Sequence, residues 1–155
     1  MTKPNFRIVP LRTEIAEAAR TAALTGSPDH AVVTADSPRG YPCRHCLRWA
    51  QPGERMILFP FAAIAPGRPY CEIGPVFVHA GPCERYRATE EFPAEFRQGR
   101  VLRAYNSQHD MIAAEVANGA GPEAVIESFL QKPETAFVHV RSAIHGCFTM
   151  EVERI

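Results

Sequence analysis

Residues 136–153 read AFVHVRSAIHGCFTMEVE. Two runs rich in β-branched and aromatic side chains, 136–141 and 147–153, flank His145-Gly146, which reads as the turn into the last strand. In an extended 136–141 run, Phe137, His139 and Arg141 share one face while Val138 and Val140 point the other way. Further strand candidates lie at 6–9, 31–35, 55–59, 76–79, 101–105 and 111–117, and Asn118-Gly119 closes the last of these with a turn signal.

Against these strands stand only two predicted helices. One runs from Thr13 to about Leu24, with Thr13 as N-cap, Glu14 and Glu17 in the first turn, and Gly26 then Pro28 at its end. Leu11, Ile15, Ala18, Ala19 and Ala22 form its apolar side. The other runs from Pro122 to about Gln131, carries Val125, Ile126, Phe129 and Leu130 as its stripe, and stops before Pro133. Two helices are too few for a strand–helix alternation. The pattern predicts a single compact α+β domain over 1–155, built on a mostly antiparallel sheet. Residues 60–75 hold a cluster of prolines and read as a proline-rich ordered loop, because each proline fixes a dihedral and removes a donor. A similar turn region, 37–42, precedes the first cysteines.

The totals exclude some functions. Hydrophobic residues make up 46% and charged residues 22%, ordinary for a globular chain of 155 residues, which can bury a core without cross-links or metal. Seventeen basic and seventeen acidic side chains cancel, so the chain lacks the basic excess that a nucleic-acid partner calls for. No stretch approaches a membrane span and the N-terminus has no apolar core of signal-peptide length, so no membrane partner and a cytoplasmic location are expected. Five cysteines, an odd number, argue against a disulfide framework.

The cysteines carry the main chemical signal. Cys43 and Cys46 in YPCRHCLRW are spaced so that two thiolates reach one tetrahedral ion. His79 and Cys83 in VFVHAGPCERY supply two further ligands if the Gly81-Pro82 turn points them the same way. The four would form a structural zinc site of three thiolates and one imidazole. Three alternatives stand beside it: buried thiols without a ligand, a redox pair, and a small enzyme with a Cys/His pocket. A thioredoxin-type pair needs a helix after it, and LRWAQPGER runs into Pro52-Gly53 too soon. The enzyme reading would draw Cys83 or Cys147 with His79, His139 or His145, and Glu72 or Arg103 nearby, onto a small-molecule substrate. His139, His145 and Cys147 are also a conceivable three-ligand metal set, and Arg103 with Tyr105 a conceivable anion contact.

Taken in order, YPCRHCLR, PGE, PYCEIGPVFVHAGPCERY, LRAYN and FVHVRSAIHGCF resemble the bacterial Domain-of-Unknown-Function 1203 family, from about residue 37 to the end. The pairs Cys43/Cys46 and His79/Cys83 fall in motifs that characterise those proteins. The resemblance implies one compact cytosolic bacterial domain. It implies no substrate and no catalytic residue.

Overall fold

The computed structural model describes residues 4–117 and 121–155. In chain order these contain β1 (Phe6–Val9), α1 (Thr13–Leu24), β2 (Ala31–Thr34), β3 (Pro42–Cys43), β4 (Arg48–Trp49), β5 (Arg55–Ile64) and β6 (Glu72–His79). A 3-10 turn at Ala94–Phe96 follows, then β7 (Arg100–Tyr105), β8 (Met111–Ala117), α2 (Pro122–Leu130), β9 (Phe137–Ser142) and β10 (Phe148–Arg154). The turn expected at Asn118-Gly119 lies outside the described residues.

Two five-stranded sheets result, ordered β1-β10-β9-β7-β8 and β2-β5-β6-β3-β4. Every described pairing is antiparallel except β3 with β6, which meet in parallel at Cys43 and Phe77. The predicted α+β domain with a mostly antiparallel framework is the fold observed. It is one compact unit in which each sheet takes one helix. In the first sheet Val138, Val140, Leu102, Met150 and Val152 turn towards Val125, Ile126, Phe129 and Leu130 of α2. Met56, Ile57, Val76 and Val78 of the second sheet share one buried cluster with Ala16 and Ala19 of α1. Alternation therefore delivers Val138 and Val140 to one core and leaves His139 and Arg141 on the opposite face.

The structure moves two boundaries. Thr13 is the first residue of α1 rather than its cap; Arg12 holds the cap position and makes no side-chain capping bond. The proline-rich loop shortens to residues 65–71, because β5 continues through Pro60 to Ile64 and β6 already begins at Glu72. Pro60 sits directly opposite Pro75. Neither has an N–H, so this is a pair that exchanges no ladder bond. On the outer sides β2 reaches only Leu58, and β3 touches β6 only at Phe77. The missing donors thus fall where no strand is waiting for them.

The sheets meet at the turn between β3 and β4. Arg44 Nε donates to the Phe148 carbonyl of β10 (2.8 Å) and its backbone N–H to the Phe77 carbonyl of β6 (3.0 Å). Leu47, which closes that turn at φ 55°, is 2% exposed in the core of the first sheet. Leu47→Gly would relieve about 1–2 kcal/mol of left-handed backbone strain. It would also empty a buried leucine site worth about 3 kcal/mol. Packing wins, so the variant is expected to lose about 1–2 kcal/mol by urea unfolding at unchanged slope. A stabilised variant would show that the strain dominates.

Candidate metal centre

The β3–β4 hairpin is the smallest element of the fold and builds half of the site. Pro42 pairs with Trp49 and Cys43 with Arg48, and the Leu47 N–H donates to the Cys43 carbonyl (3.0 Å) across the turn. The parallel contact with Phe77 sets this turn beside β6, whose last residue is His79. After Ala80, whose N–H donates to the Arg55 carbonyl (2.9 Å), the chain turns at Gly81-Pro82 and brings Cys83 back. The Tyr86 N–H then donates to the His45 carbonyl (3.0 Å) and fixes the return.

Cys43, Cys46, His79 and Cys83 therefore converge, with all four ligand atoms within 4.8 Å of one another. Cys43 Sγ lies 3.9 Å from Cys83 Sγ, and Cys46 Sγ 3.5 Å from His79 Nδ1. Cys43 is fully buried, Cys46 nearly so, and His79 and Cys83 are partly exposed. The set is the one the sequence spacing singled out.

A second layer of side chains surrounds it. Glu54 Oε2 faces His79 Nε2 at 3.3 Å. Arg20 of α1 donates from Nε to the His79 carbonyl (2.9 Å) and from Nη2 to Cys83 Sγ (3.5 Å). His45 Nδ1 lies 3.1 Å from Cys83 Sγ, and its Nε2 lies 2.9 Å from Thr13 Oγ1. Sequence reasoning missed the roles of Thr13, Arg20 and Glu54. His45 was visible between the cysteines, but nothing in its position says what its ring touches. Thr13 carried the signal of a helix cap, and its hydroxyl instead holds the imidazole.

The electrostatics follow from crowding. Hydrogen bonding from Cys46, then from Cys83, pulls the Cys43 thiol far below its ordinary range, and the same contact with Cys43 pushes Cys46 up. The sulfurs of Cys43 and Cys83 raise His79 to about 10. Burial lowers His45, which favours its neutral form. One thiolate is thus stabilised by its neighbours even without an ion, a starting point suited to a cation.

Cys46, His79 and Cys83 also line a cleft of about 890 Å³, with Trp49, Tyr86 and Arg87 on its walls. The remaining sequence candidates go elsewhere. His139 is fully buried among Tyr105, Phe137 and Phe148, with Nε2 3.1 Å from Glu151 Oε1. His145 is exposed and Cys147 partly so, and the two do not gather with His139 into a ligand set among the described residues. Arg103 lies 4.0 Å from Glu72, which Arg141 also engages, so its charge already faces a carboxylate. Tyr105 is buried and stacked on Phe137. No helix follows the cysteine turn; β4 does.

Among the described residues no helix is long and apolar enough to cross a membrane. Compared with known proteins, residues 40–154 match the family described as Protein of unknown function (DUF1203). No curated protein and no solved structure shows significant similarity to the chain.

The difference in burial within the cluster has a direct readout. In the folded protein iodoacetamide is expected to modify Cys43 at least about tenfold more slowly than Cys83, and unfolding should remove the difference. Equal rates in the folded protein, by peptide mapping, would contradict the placement of Cys43.

Proposed function

The chain belongs to the DUF1203 family of proteins of unknown function, and we propose that its cysteine–histidine cluster is a structural zinc site. Cys43, Cys46 and Cys83 would bind through sulfur and His79 through Nδ1. One observation carries this reading. Around a tetrahedral zinc with Zn–S of about 2.3 Å and Zn–N of about 2.0 Å, sulfurs stand roughly 3.8 Å apart and sulfur and nitrogen roughly 3.5 Å. The separations here are 3.9 Å for Cys43–Cys83 and 3.5 Å for Cys46–His79.

The outer layer supports it. With Nδ1 on the metal, the other ring nitrogen of His79 is protonated and aims at Glu54, the carboxylate–histidine–metal arrangement that fixes ring orientation. Three thiolates on a dication leave one net negative charge. Arg20 beside Cys83 and the buried Arg44 next to Cys43 stand where that charge is offset. Neutral His45 would donate from Nδ1 to the Cys83 thiolate and accept the Thr13 hydroxyl proton at Nε2.

Four protein ligands fill a tetrahedron and leave no open position, which favours a structural over a catalytic ion. The ion would tie the β3–β4 turn to the end of β6 and to the returning chain at Cys83. It would not clamp residues 65–71, which lie at the far end of the β5–β6 hairpin, where Ile64 pairs with Glu72. The biochemical role built on this scaffold is binding or accessory as readily as catalytic, in a cytoplasmic bacterial protein.

A second reading rests on a different observation. Cys83 in the cleft wall, His45 within 3.1 Å and Thr13 behind it have the order nucleophile, base and orienting group. On this reading the protein is a thiol-dependent enzyme acting on a small molecule, and Cys83 is not a ligand.

Elemental analysis of untagged protein separates the two. The zinc reading expects near one zinc per chain, lost in Cys43→Ser and His79→Ala with a lower Tm. It expects Glu54→Gln to keep the ion with about tenfold weaker affinity. Absence of metal together with five titratable thiols would overturn it and favour the thiol enzyme.

A further inference from the structure

We propose that Cys83 is a hydroperoxide-reactive thiolate whose oxidation, resolved by Cys43, opens the metal shell. The inference rests on the zinc reading and adds a chemical substrate class and a regulation to the same site.

The cluster is asymmetric in a way that a purely structural knot does not require. Cys43 is sealed from solvent, whereas Cys83 is partly exposed in the wall of the 890 Å³ cleft. As a zinc ligand Cys83 would be a thiolate, and it is a residue of the cleft wall. Two N–H donors stand against that one sulfur, His45 Nδ1 at 3.1 Å and Arg20 Nη2 at 3.5 Å. Neither donor lines the cleft and His45 is 1% exposed, so both hold the sulfur from its protein side, while Cys83 itself forms part of the cleft wall. Cys46, the other thiol at the cleft, is nearly buried and has His79 Nδ1 as its near neighbour.

The chemistry balances without a further co-reactant. The Cys83 sulfur lone pair attacks the distal oxygen of a hydroperoxide, the O–O bond breaks, and the alkoxide or hydroxide leaves and takes up a proton from water. Sulfur is oxidised by two electrons to the sulfenic acid and the peroxide is reduced by two. The Cys43 thiolate then attacks the sulfenic sulfur, forming the S–S bond and expelling hydroxide. Cys43 Sγ starts 3.9 Å from Cys83 Sγ. The pair must close to about 2 Å. Cys83 follows the Gly81-Pro82 turn in a stretch with no strand or helix, so the movement breaks no sheet ladder. With both sulfurs in the bridge, only Cys46 and His79 would remain to hold an ion.

Exposed Cys71 is an internal competitor, since accessibility alone would make it react first. Zinc-loaded protein is treated with equimolar hydrogen peroxide, released zinc is followed with a chromophoric chelator, and thiols are trapped with N-ethylmaleimide for peptide mapping. The expected result is zinc release in step with a Cys43–Cys83 bridge while Cys71 stays reduced. A Cys43–Cys46 bridge, oxidation of Cys71 ahead of Cys83, or zinc retained with Cys83 intact would overturn the inference. Zinc content measured before oxidant is added keeps the two readings apart. No zinc at that point overturns the metal site itself, whereas full zinc followed by any of the three contrary results overturns only the peroxide step.

Discussion

A four-residue turn that buries a guanidinium, an imidazole and flanking thiols must satisfy each of them, and both sheets meet where it does so. Arg44 is 3% exposed and faces no carboxylate; its side chain donates to the carbonyls of Phe148 and Pro42. Its own carbonyl accepts the Leu11 N–H, at 3.0 Å. Burial draws the guanidinium down to about 10, which still leaves it charged at neutral pH. The sulfurs of Cys147 and Cys43 are the groups that favour its charge. An isolated buried cation costs several kcal/mol, roughly, unless an anion lies near. The proposed shell of three thiolates on zinc would be such an anion, offsetting the charge of the turn.

The sequence showed what depends on period and chemistry and hid what depends on long-range contact. Val138 and Val140 announced their face because alternation needs only the local chain. The same held for the stripe of Val125, Ile126, Phe129 and Leu130. The β3 and β4 strands, two residues each, are too short for any period, and the parallel pairing of Cys43 with Phe77 is a tertiary fact. Pro60 and Pro75 read as loop residues since each alone breaks a ladder; set opposite one another they cost nothing to the pairing. The cysteine–histidine cluster was legible because thiol and imidazole spacing is itself geometry. Arg20, Thr13 and Glu54 were not, as arginine, threonine and glutamate occur on any surface and gain meaning only from what they touch.

The C-terminal histidines illustrate the opposite outcome. His139 looked as chemically suggestive as His79, and both end on carboxylates. His139 is ringed by Tyr105, Phe137 and Phe148, however, and burial lowers its affinity for a proton. With Nε2–H donated to Glu151, the unpartnered Nδ1 is a bare acceptor, cheaper to bury than an orphan donor. Next to it Arg141 reaches across to Glu72 of β6 and to the Gly146 carbonyl. These groups tie one sheet to the other. Among the described residues they form no cluster of ligand atoms.

Why a metal should sit at this place follows from the segment it would hold. Residues 80–93 contain no strand or helix, and none of residues 81–91 is buried. Phe92 anchors the end of this stretch in the first core and Tyr86 packs against that core; the other attachments are single hydrogen bonds such as Tyr86 N–H to the His45 carbonyl, Ile8 N–H to the Thr89 carbonyl and Arg85 to the Pro10 carbonyl. Ordering a backbone residue costs roughly 1–2 kcal/mol, and single hydrogen bonds return only about 1 kcal/mol each. A disulfide between Cys83 and Cys43 would fix one point and leave Cys46 and His79 unpaired. An ion would tie four side chains from the hairpin, from β6 and from the irregular return at once, and its binding free energy would be added to the folded state alone. The cleft wall is built from that same return. An ion held there would thus stiffen the wall on which Tyr86 and Arg87 stand.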